Sequence, residues 1–196
     1  MYKIIKSLLL ASLTTASMTA NAAIISSTSG LVSPDVTIAF NEMSLTSGTV
    51  VTDQYSSLGV TFSPNLYQDS QGSSFPNIDN NNLGNFYPAV SPFDINFTSD
   101  QNEVAFAFVT NPNTTTFSTY LDGLFVESIA FATDYTSTEN WYIFSGYTFD
   151  QISVSTDGDT LMLLDNLQLS SAAVPEPASI ALLGLGLVGI GFLRKR

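Results

Sequence analysis

The chain has 196 residues and a formal net charge of −12, yet all five basic residues sit at its ends: Lys3 and Lys6 near the start, Arg194, Lys195 and Arg196 at the finish. With no Cys anywhere, and no Lys, Arg or His between those ends, several chemistries are excluded: nucleic-acid binding led by cationic side chains, Arg phosphate clamps, Lys Schiff bases, Ser-His-Asp and Cys-His catalysis, and zinc held by thiolate or imidazole. Oxygen-ligand chemistry with hard, calcium-like cations stays open, and the carboxylates of the middle have no cationic side chain to pair with.

In chain order, Lys3 and Lys6 precede an apolar run that includes Leu8, Leu9, Leu10 and Leu13, and small residues follow at Ala20-Asn21-Ala22. A basic start, a short apolar run and an A-x-A site predict a secretory signal peptide over residues 1–22. Signal peptidase would cut after Ala22 and leave Ala23 as the first mature residue. No acidic residue occurs in the first 34 positions and no helix cap is present, which argues against an ordinary N-terminal helix.

Residues 23–171 read as one all-β domain. Val36–Phe40 alternates, and so does Val104–Phe108, with Val and Phe on one face and Ala on the other. Further strands are expected at Gly59–Ser63, Phe93–Phe97, Thr116–Leu121, Phe125–Ala132, Asn140–Phe144, Gln151–Ser155 and Leu161–Leu169. Asp122-Gly123 and Asp157-Gly158 have the composition of tight hairpin turns. Short antiparallel strands with one apolar face point to a β-sandwich of the jelly-roll kind. Residues 64–92, rich in Asn, Ser, Pro and Gly, are expected to form a long connection, mobile or functional.

Two carboxylates stand out. Glu42 continues the apolar row Val36, Ile38, Phe40, and Asp165 interrupts the row Leu161, Leu163, Leu167, Leu169. A buried carboxylate is costly unless paired or hydrogen-bonded. One reading joins the two through a structural Ca²⁺, because first and last strands often neighbour each other in jelly rolls. The other has Asp165 accepting backbone N–H bonds at a strand kink, with Glu42 in water at the rim. Asp79–Asn85 partly echoes a calcium loop, but Leu83 stands where Asp or Asn is wanted, so it reads as a plain Asn-rich loop. Tyr67, Phe75, Phe86, Tyr87 and Trp141 are candidates for stacking on sugar rings. Trp141-Tyr142 point to opposite faces of a strand, so at least one belongs to the core.

At the C-terminus, Val174-Pro175-Glu176-Pro177 precedes an apolar run from Ser179 to Leu193, and the basic triplet Arg194-Lys195-Arg196 closes the chain. As a helix this run is roughly 22 Å long, short of the ~30 Å hydrocarbon core. Local thinning and snorkelling of the terminal cations close that gap. The basic end is expected to stay cytoplasmic as a membrane stop.

The trio of Pro175-Glu176-Pro177, membrane segment and basic end resembles the PEP-CTERM sorting signal, with the tail spanning residues 172–196. This resemblance implies recognition by an exosortase-type transpeptidase in a Gram-negative bacterium. It further implies transient residence in the inner membrane, cleavage near the motif, and a final place at the cell surface or in an exopolysaccharide or biofilm matrix. Val50–Tyr55, Gly59–Phe62 and Leu164–Leu167 look like the sandwich domains common in PEP-CTERM proteins, which in shape resemble carbohydrate-binding jelly rolls. The leading expectation is a non-enzymatic surface or matrix protein that binds extracellular polysaccharide. The alternative is a small secreted glycoside hydrolase or lyase, since carboxylate pairs alone can run that chemistry. Two carboxylates ~5–10 Å apart in an open aromatic-lined groove would favour the enzyme.

Overall fold

The computed structural model describes residues 23–63, 66–70, 74–85, 91–158 and 160–170. These form ten strands: β1 (Ala23–Ser27), β2 (Val36–Ile38), β3 (Val60–Phe62), β4 (Tyr67–Asp69), β5 (Asn82–Gly84), β6 (Phe93–Thr110), β7 (Asn113–Leu121), β8 (Leu124–Thr133), β9 (Trp141–Thr156) and β10 (Met162–Ser170). Every pairing is antiparallel. The only helical element among the described residues is one 3-10 turn, Ser56–Leu58.

Two long strands organise the rest. β6 and β9 pair from Phe93↔Val154 to Ala107↔Trp141, with register shifts on either side of Gln101. The alternation of the sequence suggested two short strands in each. The polar stretch around residues 98–102 instead bends a continuous strand and lets its two ends serve different layers. In the first layer the β6 end from Glu103 onward lies between β9 and β10, β1 joins β9, and β2 and β5 join the far edge of β10. In the second layer the Phe93–Phe97 end carries β3, while the far end of β9 carries β7 and then β8.

The layers face each other across an aromatic core. Phe117 of β7 lies 5.8 Å from Phe106, 5.6 Å from Phe108 and 4.5 Å from Tyr142, ring centre to ring centre, so second-layer and first-layer rings interdigitate. Ile38, Phe40, Leu83, Phe144, Leu164 and Leu167 complete the same cluster, all essentially solvent-free. Burial of this much apolar side chain is the dominant favourable term in the fold.

The turn readings divide. Asp122 and Gly123 join β7 to β8 with φ of 51° and 76°, the double left-handed turn that such a pair favours. Asp157-Gly158 is not a hairpin: β9 and β10 do not pair, because both flank β6. Residues 64–92 are not one long connection either, since they supply β4 and β5, which pair with each other and extend the sheet beyond β10. β1, which starts at the expected mature N-terminus Ala23, adds an edge that periodicity did not signal.

Candidate functional site

The site lies on the outer face of the first layer. There the strands present the small or short side chains Ala105, Ala107 and Val109, and Ile78 and Trp141 pack over them as a second apolar cluster. Trp141 is 8% exposed and sits beneath Gly30, where any side chain would collide with the indole. Trp141 and Tyr142 do point to opposite faces, and both are buried. The indole is therefore packing, not a sugar platform.

Two loops roof this face and are stitched together by amides. Asn140 Nδ2 donates to Pro76 O at 2.6 Å, and Asn77 Nδ2 donates to Asn140 Oδ1 at 2.6 Å. Asp134 fixes the second loop by accepting from the Thr136 hydroxyl and from the N–H groups of Thr136 and Ser137. These bonds, the Thr136 hydroxyl first, hold the Asp134 carboxyl below its usual range. As a result Phe75 and Tyr135 meet edge to face, with ring centres 6.1 Å apart.

Phe75 and Tyr135 border a pocket of about 310 Å³. Its other walls include Asp69, Asn85, Val109, Thr110, Asn111 and Leu163. Asn85 is structural: it donates to Thr160 O and accepts from Met162 N, which fixes its amide in the wall. Thr110 is tied into a buried row of hydroxyls with Thr133 and Thr115, each step 2.7 Å. Asp69 accepts from Ser70 N at 2.6 Å and is the only carboxylate among the described wall residues. Aromatic rings beside a few polar groups make the usual surface for a small polar ligand with apolar faces.

Asp165 lies on β10, two residues beyond the pocket-lining Leu163. Strict alternation sets Asp165 on one face with Leu167 and Leu169, but a bulge separates them. β10 pairs Asp165↔Ala107 and then Gln168↔Ala105, so one extra residue enters at Asn166, whose φ is 52°. Met162, Leu164, Leu167 and Leu169 thus join the core, while Leu163 packs on the outer cluster. Asp165 is fully buried and accepts from Asp79 N and Asn166 N, both at 2.6 Å. Burial pushes its pKa up to about 7; the two hydrogen bonds oppose this, and the charges of Asp79 and Glu42 add to it. Glu42 does not continue the strand row. β2 ends at Ile38, Phe40 turns left-handed with φ 55°, and Glu42 lies exposed with its Oε1 accepting from Ala39 N at 2.8 Å. The expected adjacency of the two strands is present: β2 pairs with β10 through Leu167↔Ile38. Tyr67 is half-buried on β4. Asn82–Gly84 of the Asn-rich segment is strand, with Asn82 buried.

Phe86, Tyr87, the cleavage residues Ala20 and Ala22, and the tail with Pro175, Glu176, Pro177, Arg194, Lys195 and Arg196 lie outside the described residues. Among the described residues no helix is long and apolar enough to cross a membrane. The family model described as the PEP-CTERM protein-sorting motif matches residues 173–196.

The chain carries a PEP-CTERM sorting tail.

A tail of this kind implies processing by an exosortase-type system, with export to the surface of a Gram-negative bacterium. No curated protein matches the chain. Among solved structures, it is similar to TmCBM61 in complex with β-1,4-galactotriose, at 9% identity and a TM-score of 0.34, covering 63% of this chain and 98% of that one. It is also similar to the CBM22-1–GH10 modules of the Clostridium thermocellum endo-1,4-β-D-xylanase 10B with xylohexaose, at 11% identity and a TM-score of 0.36, covering 67% of this chain and 29% of that one.

Proposed function

We propose that this PEP-CTERM protein is a non-catalytic surface or matrix protein whose jelly-roll domain binds a neutral glycan in the pocket beside Phe75 and Tyr135. In this reading a signal peptide over residues 1–22 takes the chain across the inner membrane. The Ser179–Leu193 segment and Arg194–Arg196 hold it there briefly, and exosortase-type cleavage near Pro175-Glu176-Pro177 delivers the domain to an exopolysaccharide-rich surface.

The observation that carries the binding reading is the pocket itself: an exposed Tyr135 ring against Phe75 at a cavity of about 310 Å³ with polar side chains in its wall. A neutral glycan fits better than an acidic one. The domain holds every acidic residue of the chain except Glu176 and no cationic side chain, so it repels uronates. Among the described wall residues Asp69 is the one carboxylate, which supports binding over glycoside hydrolysis, a chemistry that needs a pair.

The test is calorimetric titration of the purified chain against a panel of neutral and uronic-acid oligosaccharides. The expected result is binding of a neutral member, weakened about tenfold (roughly 1.4 kcal/mol) by Tyr135→Ala. Preference for the acidic members, or full affinity in the Tyr135→Ala protein, contradicts the reading.

A further inference from the structure

β5 and β2 pair with the same edge of β10, but they do not meet. The β10–β5 ladder reaches Leu164↔Leu83, and the β10–β2 ladder begins at Leu167↔Ile38. Between them the edge of β10 at Asp165-Asn166 faces a notch. Continuing the first ladder by one residue sets Asn82 beside Asp165.

On the segments around this notch, three buried oxygens lack a hydrogen-bond partner. Asn82 is fully buried and its Nδ2 donates to Asp79 O at 2.7 Å, which fixes the amide and leaves Oδ1 with no partner. Gln68 is 3% exposed; its Nε2 donates to Phe40 O at 3.3 Å, and its Oε1 has no partner. That bond carries the Gln68 side chain past the end of β5 to the left-handed Phe40 backbone. Tyr55 stands edge-on to Phe40 at 5.2 Å, fully buried, with an unpartnered hydroxyl. The charges of both Glu42 and Asp165 are felt at that hydroxyl.

Orphaned buried polar atoms are rare in folded proteins, and each demands a reason. Three orphaned oxygens on the segments around this notch, Asn82 and Gln68 on opposite faces of the β4–β5 pair and Tyr55 on the core side, flank a fully buried carboxylate in a domain with no cationic side chain, and they share one reason: a cation that the protein does not itself supply. We propose that the notch between β5 and β2 binds Ca²⁺ through the carboxylates of Asp165 and Glu42 and the amide oxygens of Asn82 and Gln68. Tyr55 closes the inner side, directly or through a water. The donor set is all oxygen and mixes charged with neutral groups, which suits Ca²⁺ better than Mg²⁺. Among the described residues no three carboxylates converge, so the site rests on its neutral oxygens as much as on its two charges. Asp79 N binds Asp165, so the ion would also brace the loop that carries Phe75 into the pocket.

The experiment is titration of the purified full chain with CaCl2, then with MgCl2, after chelator treatment, read by calorimetry and by melting temperature. At Ca²⁺ about 100-fold above Kd the expected rise in Tm is roughly 5–10 °C, with a smaller response to Mg²⁺. Asp165→Asn, nearly isosteric, should abolish the response while the metal-free protein melts no lower than the metal-free wild type. Glu42→Gln, at an exposed position, should weaken Ca²⁺ binding at least tenfold in a protein that stays folded. No heat and no Tm rise in the wild type overturns the proposal. So does a wild-type Ca²⁺ response in the folded Glu42→Gln protein, which would place the ion elsewhere on the acidic surface.

Discussion

The two faces of the first layer follow different rules. The inner face is closed: Phe106, Phe108 and Phe144 meet Phe117 of the second layer ring on ring, and Leu164 and Leu167 pack into the same cluster. The outer face is cut back to Ala105 and Ala107, roofed by loops and crossed by Asp165, Asn82 and Asp79. One strand, β10, contributes to both, because the bulge at Asn166 hands two leucines to the core and a carboxylate to the loops. The lesson is that apolar packing holds this fold, while the groups able to meet a ligand or an ion stand where that packing is interrupted.

The sharpest way to break the comparison is to damage the inner face. Phe117→Ala removes a fully buried ring at the junction of the layers and should cost about 3–5 kcal/mol in denaturant unfolding. A cost below about 1 kcal/mol would mean that the layers do not share one core.

A smaller effect belongs to Asp165. Its folded pKa of about 7 exceeds the ordinary 3.8, so the folded state holds this proton more tightly than the unfolded chain. In chelated protein its contribution is most favourable below pH 3.8. It falls as pH rises from 3.8 toward 7, and the loss is complete above that. The Asp165→Asn protein should lack this slope, so the difference between the two stabilities grows by a few kcal/mol across the window. Parallel pH profiles would show that burial does not disfavour the Asp165 charge.

The smallest expected effect is on the pocket. Tyr135→Ala at a 42% exposed ring should change stability by no more than about 0.5 kcal/mol while reducing glycan affinity. A large loss of stability would make the ring structural.

Much of the inner face was legible in the chain. Val104, Phe106 and Phe108 alternate with Ala, and the structure buries them as that pattern requires. The continuity of β6 and β9 was not legible, because polar residues at each bend look like a strand end. β4 and β5 escaped notice because three-residue strands in an Asn-rich stretch show no period. Asp165 was legible as a problem, since no cation could pair with it, but its face was not, because a one-residue bulge leaves no compositional mark. Gln68 and Asn82 gave no signal, because the β4–β5 and β5–β10 ladders that set them near β10 join segments distant in sequence. The Phe75–Tyr135 contact depends in the same way on amide bonds between two loops.

The claim that the gap in the sheet beside Asp165 holds an ion is tested most directly by diffraction. Crystals grown in Ca²⁺ should be measured at a wavelength where calcium scatters anomalously. The account predicts one strong anomalous peak in the notch between Asp165, Glu42, Asn82 and Gln68. A notch without a peak, with Tyr55, Gln68 and Asn82 satisfied by water alone, would contradict it.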